Sequence, residues 1–141
     1  MPGPLSGVKV LDLTTVVMGP FATQLLAELG ANVIKVEAHD GDNMRHPGPM
    51  KNPGMGYMFL NLNRGKRSIV LDLKKPDGHE ALMRLIPDTD VLIYNVRPQA
   101  MARLRLSYEE VRTANPRIIY VGTYGYSQAG LERHPSEGDC P

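Results

Sequence analysis

Two groups of basic residues dominate the chemistry this sequence can offer. Arg64, Lys66, Arg67, Lys74 and Lys75 surround one apolar stretch, Ser68–Leu73, and Arg97, Arg103 and Arg105 follow another, Asp90–Tyr94. Cations gathered this way suit a phosphorylated ligand, because arginine forks onto phosphate oxygens and lysine meets them as a point charge. Gly19-Pro20 opens a helix whose N-terminus would add oriented N–H groups. Other constellations fail. His39, His46, His79 and His134 lack metal-ligand spacing. Cys140, the single cysteine, can form neither an internal disulfide nor a cysteine-rich zinc site, so no metal is expected. There is no Walker loop and no Gly-x-Ser-x-Gly elbow. Glu37 stands where an acid would hold the ribose of a nicotinamide dinucleotide, but Thr14–Gly19 carries one glycine where that fingerprint needs three. Valine and methionine side chains there would keep the backbone away from a pyrophosphate. The residues thus point to a nucleotide-like ligand at a sheet edge and stop before a reaction; no catalytic residue is assigned.

The elements that must position these groups follow from periodicity. Strands are predicted near 8–14, 32–37, 68–73, 90–94 and 117–122, short apolar runs bounded by turn residues. Between the first two, Gly19–Leu29 reads as a helix with Phe21, Leu25, Leu26 and Leu29 on one face, Pro20 in its first turn and Gly30 at its left-handed end. Pro76 starts a second helix with Ala81, Leu82, Leu85 and Ile86 inward, and Pro87 stops it. A short helical segment surrounds Gln99–Leu104. Ser107 and Glu110 form a capping-box pattern for another helix, which ends before Pro116. Strand, helix and strand with short joints make a parallel βαβ unit, and five such strands make an open, doubly wound, Rossmann-like α/β sheet. Leu25, Leu26, Val33, Ile69, Leu92 and Ile119 are expected in its core. Residues 39–58, rich in Gly, Pro and Met, break the pattern and read either as a surface excursion or as a lid or partner contact.

Composition sets the bounds. A chain of 141 residues, 42% apolar and 22% charged, is one domain's worth of ordinary globular sequence. The net charge of +1 supplies no global field for nucleic acid or acidic lipid. No apolar run approaches the ~18 residues of a membrane span, and no signal-peptide pattern opens the chain, so neither nucleic acid nor membrane is expected as a partner and the location expected is cytoplasmic. The ordered fold is expected over 1–130, with 131–141 a polar, irregular tail.

Several phrases in one order resemble the family III CoA-transferases, which include formyl-CoA and carnitine-CoA transferases and have α-methylacyl-CoA racemases as relatives. They are Pro4–Thr14 (Pro-Leu-Ser-Gly-Val-Lys-Val-Leu-Asp-Leu-Thr), Gly19-Pro20, Leu29–Glu37 (Leu-Gly-Ala-Asn-Val-Ile-Lys-Val-Glu) and Gly41-Asp42 with Arg45. Further on stand Asn63–Lys74 (Asn-Arg-Gly-Lys-Arg-Ser-Ile-Val-Leu-Asp-Leu-Lys), Asp90–Ile93, Asn95, Arg97-Pro98 and Asn115-Pro116-Arg117. The likeness runs from Pro4 to about Gly130.

The resemblance implies that coenzyme A lies along the strand ends, its adenine and phosphates near the surface and its thiol inward. By motif match, Val16 and Met18 would line the nucleotide after the first strand, and Leu71 and Lys74 after the third. Asn95, Val96, Arg103 and Leu104 would do so after the fourth, with Lys74 and Arg103 on phosphate. It further implies CoA transfer between an acyl-CoA and a carboxylic acid through an aspartyl anhydride, with CoA as substrate and no covalent cofactor. Ala38 stands where the family often has a basic residue. The family's nucleophilic aspartate lies in a Gly-Asp segment later than residue 141, and Gly138-Asp139 comes too early to be it. Gly138 replaces the tyrosine of transferases or the histidine of racemases. The chain therefore reads as the N-terminal portion of such an enzyme, its sheet incomplete at the C-terminus and leaving a face or edge uncovered. A racemase fragment and a non-catalytic CoA-binding remnant are the alternatives. Intact members form interlocked homodimers; the oligomeric state of this chain stays open.

Overall fold

The structure, a computed structural model, describes residues 3–125. The polar tail expected at 131–141, with Gly138, Asp139 and Cys140, lies outside the described residues.

Five parallel strands form one sheet: β1 (Lys9–Leu13), β2 (Asn32–Glu37), β3 (Arg67–Val70), β4 (Val91–Tyr94) and β5 (Ile119–Gly122). Their order across the sheet is β3-β2-β1-β4-β5. Register is set by Asp12 beside Lys35, Val36 beside Ile69, Leu11 beside Leu92 and Leu92 beside Tyr120. The chain winds outward from β1 to β3, then returns to lay β4 on the other side of β1. This is the doubly wound architecture expected from the alternation of strands and helices.

The helices end where their sequences stop supporting them. Helix α1 (Met18–Glu28) has Pro20 in its first turn and hands over to Gly30 at φ +101°, a left-handed position that glycine takes without strain. Helix α3 (Pro76–Leu85) begins on Pro76, whose missing N–H costs nothing at that position. Helix α4 (Pro98–Arg103) begins the same way. Helix α5 (Tyr108–Ala114) carries both halves of the capping box: Ser107 Oγ accepts the Glu110 N–H, and Glu110 accepts the Ser107 N–H at 3.1 Å.

The core has two layers. On one sheet face Leu11, Leu13, Val36 and Leu92 pack against Leu82 and Ile86 of the α3 region, Met101, Leu106 and Val111. On the other, Val10, Val33 and Ile93 meet Leu26 and Ala27 of α1. Leu92 is fully buried at the centre of the larger layer, and Leu92→Ala is expected to lower stability by about 3 kcal/mol, read as a shift in urea midpoint at unchanged slope.

Val33 and Leu92 are buried as expected, while Leu26 and Ile69 are half-buried. Leu25 and Ile119 are not core: they are 43% and 58% exposed, and Phe21 and Leu29 also face outward. Gly19, Pro20, Thr23 and Gln24 turn inward instead. The reason lies beneath the helix. Near the carboxyl ends of the strands this sheet face presents Asp12, Lys35 and Glu37, so α1 offers it a hydroxyl and small residues rather than leucines. Ile119 lies on the flank of that face, where no helix of the described residues covers β5.

Residues 39–58 form neither strand nor long helix. They hold a single 3-10 turn, Asn43–Arg45, and lead into helix α2 (Tyr57–Leu62), which the sequence reading did not predict. Arg45 fastens the excursion: its guanidinium reaches Glu37 and the Gly54 carbonyl and lies 3.6 Å over the Phe59 ring.

Candidate functional site

In a sheet ordered this way the crevice for a ligand lies outside the carboxyl ends of β1 and β4, where successive connections leave to opposite sides. The chain emerging from β1 is held there by side chains. The Thr14 N–H donates to Asp12 Oδ1 at 2.9 Å, and the Thr14 carbonyl accepts from Lys35 Nζ at 2.7 Å. The Thr15 N–H donates to Asn95 Oδ1 at 3.0 Å, and the Thr15 carbonyl accepts from Asn95 Nδ2 at 2.9 Å. Val16 follows at φ +72°, a left-handed conformation that a β-branched residue rarely adopts. Gly19 then lets α1 start close against this segment: a Cβ there would come within 2.4 Å of Thr14 Cβ.

Below the loop sits a compensated set of buried charges. Asp12 accepts four hydrogen bonds: Oδ1 from Thr14 N and Oγ1, and Oδ2 from Thr23 Oγ1 at 2.6 Å and Lys66 Nζ at 2.9 Å. Lys66 also donates to the Pro20 carbonyl and to Asn63 Oδ1. Lys35 pairs with Asp42 at 2.8 Å. Burial raises the Asp12 carboxyl, but Lys66, Lys35 and the two threonine hydroxyls outweigh it, so the group titrates below the usual aspartate value. Burial pushes the Lys66 ammonium down, against the pull of Asp12.

Glu37, at the end of β2, receives four donors: Arg45 Nε and Nη2 at 2.7 and 2.6 Å, the Asp42 N–H at 3.0 Å and Ser68 Oγ at 2.5 Å. Burial opposes ionisation, yet these bonds and the Arg45 charge bring its carboxyl down to about 2. It is therefore fully engaged inside the protein and not presented to a ribose, in keeping with the missing glycine fingerprint.

The eight residues expected to line a nucleotide divide by exposure. Lys74, Arg103 and Met18 are exposed. Val16, Leu71, Asn95, Val96 and Leu104 are half-buried, and Leu71, Val96 and Leu104 pack against the larger core layer. Val16 and Asn95 are brought together through Thr15.

The basic group around β3 is mostly occupied. Arg64 pairs with Glu28, Arg67 donates to Asn32 Oδ1 at 2.8 Å, Lys66 is the buried partner of Asp12, and Lys75 stands 3.7 Å from Asp72. Among the described residues, the Lys74 and Arg103 side chains take part in no hydrogen bond or ion pair, which leaves their charges for solvent or ligand. Asp12, Lys35 and Thr23 escaped the sequence reading. The available signal was charge at alternate positions of central strands, which parallel sheets bury on both faces.

Comparison with known proteins adds a family. A family model described as CoA-transferase family III matches residues 5–139. The succinate–glutarate CoA-transferase of Agrobacterium fabrum is 43% identical over 135 residues, which cover 90% of this chain and 34% of that protein. The human succinyl-CoA:glutarate CoA-transferase is 42% identical over 128 residues, covering 90% of this chain and 29% of that protein. A crystal structure of a CAIB/BAIF family protein from Brucella suis superposes with a TM-score of 0.87 at 37% identity, over 92% of this chain and 35% of that one. The chain thus spans about a third of the length of the relatives it matches. No helix of the described residues is long and apolar enough to cross a membrane.

Proposed function

The chain belongs to CoA-transferase family III, and from that premise we propose that it supplies the CoA-binding part of an enzyme that moves CoA between an acyl-CoA and a carboxylic acid. The observation that carries the proposal is the pair of exposed cations Lys74 and Arg103, which follow β3 and β4 and whose side chains take part in no hydrogen bond or ion pair among the described residues, whereas Arg64, Lys66, Arg67 and Lys75 around β3 are engaged within the protein. Lys74 and Arg103 would meet CoA phosphates. Met18 and Val16 would border the nucleotide on the β1 side, and Leu71, Val96 and Leu104 would present apolar edges to it.

The chemistry proposed for the whole enzyme begins with an aspartate carboxylate attacking the thioester carbonyl. A C–O bond forms, the C–S bond breaks and CoA leaves as thiolate, giving an aspartyl anhydride. The thiolate then attacks the aspartyl carbonyl and frees the original acid. The acceptor carboxylate attacks the aspartyl thioester and expels CoA thiolate, giving a second anhydride; the thiolate then attacks the acceptor's carbonyl, which forms the new acyl-CoA and frees the aspartate. The attacking aspartate is assigned to a segment beyond residue 141, so a polypeptide of these 141 residues is expected to bind CoA and to transfer nothing.

Calorimetric titration with CoA, and with CoA lacking its 3′-phosphate, tests the binding. Each charge-assisted hydrogen bond to phosphate contributes about 1.5–3 kcal/mol, less where solvent and salt screen it. Arg103→Ala is therefore expected to weaken CoA about ten-fold at low salt, with the loss shrinking as salt is added. Affinity in the Arg103→Ala and Lys74→Ala variants equal to that of the unsubstituted chain would remove the phosphate assignment. Transfer by the purified 141-residue chain, abolished by Asp139→Asn, would show that the nucleophile is here.

A further inference from the structure

The least comfortable backbone at the site is Val16, held at φ +72° between β1 and α1. Left-handed conformations bring Cβ close to the following carbonyl, and branching at Cβ adds to the crowding, so such a residue persists where its surroundings over-determine it. The surroundings here are specific. All four backbone polar groups of Thr14 and Thr15 are taken by side chains from elsewhere in the sheet: Asp12, Lys35 and, for both groups of Thr15, Asn95.

Asn95 acts as a substitute strand. It follows β4, 80 residues away in sequence, and its carboxamide accepts from the Thr15 N–H while donating to the Thr15 carbonyl. With both bonds made, Thr15 cannot turn about either of its backbone dihedrals without losing one of them. Val16 is therefore launched from a fixed direction. The bridge also spans the crevice between β1 and β4, at the place where the fold directs a ligand.

We infer that Asn95 is a positioning residue: by clamping Thr15 it fixes the left-handed Val16 and presents the β1–α1 loop in one conformation to CoA. This rests on the CoA reading of the site. Preorganising the loop removes an ordering cost from binding, so loss of the clamp lowers affinity even when the fold survives.

Three variants separate positioning from a merely structural role. Asn95→Ala removes the clamp. Val111→Ala removes core volume on the sheet face opposite Asp12 and Lys35 and serves as a stability control. Val16→Gly in the Asn95→Ala background relieves the left-handed strain without restoring the clamp. CoA affinity by calorimetry well below each melting temperature, thermal melts, and amide exchange at Thr15 are measured for each. Asn95→Ala is expected to weaken CoA about ten-fold and to speed Thr15 exchange at least as much. Val111→Ala should lower the melting temperature with CoA affinity kept within about two-fold. The double variant should melt above Asn95→Ala yet bind CoA no tighter. Asn95→Ala binding within two-fold of the unsubstituted chain overturns the inference while leaving the CoA reading intact, and so does affinity that follows melting temperature across all variants. Failure of the unsubstituted chain to bind CoA overturns the CoA reading and the inference with it.

Discussion

Replacing Asp12 by alanine is expected to cost about 4–5 kcal/mol, which places a domain of this size near the edge of folding. The carboxylate is fully buried and accepts four hydrogen bonds. Removing it leaves the Lys66 ammonium, itself buried, with two neutral acceptors and, as countercharge, only the Asp42 carboxylate that already pairs with Lys35. Truncating one member of a buried ion pair is far worse than never having made the pair, because the survivor's desolvation is no longer offset. Lys66→Met is therefore expected to be milder than Asp12→Ala, since Asp12 would still face Lys35 and two hydroxyl donors. Asp12→Ala combined with Lys66→Met should cost clearly less than the sum of the single changes. Urea titrations of the four proteins measure this. A cost below about 1 kcal/mol for Asp12→Ala would mean that the network contributes nothing to stability.

The same network explains what could be seen in the sequence and what could not. The strands, their parallel pairing and the sheet's double winding were legible because Val8–Leu13, Asn32–Val36 and Asp90–Tyr94 are short apolar runs separated by helices that Pro20, Gly30, Pro76 and Pro87 delimit. Ser107 and Glu110 announced α5 by chemistry alone. Helix α1 was placed correctly and turned the wrong way. Its most apolar stripe, Phe21, Leu25 and Leu29, was assigned inward by the usual rule that apolar faces seek the core. That rule assumes an apolar sheet beneath. Here Asp12 and Lys35 lie under the helix, and Thr23 must face them to donate to Asp12. The alternation Val33, Lys35, Glu37 held the clue, since charges at alternate positions of an interior strand must find partners on one face.

The site divides in the same way. Lys74 and Arg103 were expected at the ligand edge because they follow the third and fourth strands in the chain; both are exposed, Lys74 four residues after β3 and Arg103 at the end of α4. Lys66 could not be told from them, since spacing carries no information on which lysine folds inward. Asn95 was expected to line a nucleotide, but its bond to Thr15 could not be foreseen, because Thr15 lies 80 residues away and is held through backbone atoms that any residue would supply. Helix α2 went unseen because Tyr57–Leu62 is a single short helical stretch after a glycine-rich loop, too brief for periodicity to register.

Loss of the Glu37 charge is expected to be the other severe change, and it can be produced by substitution or by acid. The carboxyl titrates at about 2 in the folded chain, below its ordinary value of 4.5. A group depressed in this way contributes its full stability above the unfolded value and loses it as pH falls through the folded one. Stability should therefore fall between about pH 4.5 and pH 2, with Glu37 carrying a share of the slope. Glu37→Gln should abolish that share. It should also cost about 3 kcal/mol at neutral pH, nearer the lower bound for a broken buried pair because the Arg45 side chain keeps 27% exposure and can recover some water. The consequence is local before it is global. Arg45 holds the Gly54 carbonyl and covers Phe59 while its other nitrogens grip Glu37. Releasing it should free the 39–58 excursion first, seen as faster amide exchange at Gly56, whose N–H donates to the Arg45 carbonyl. Glu37→Gln paired with Arg45→Met should recover part of the loss, since no charge is then left unmatched. A Glu37→Gln variant as stable as the parent at pH 7, with an unchanged acid profile, would show that the Arg45 pair is only compensated desolvation.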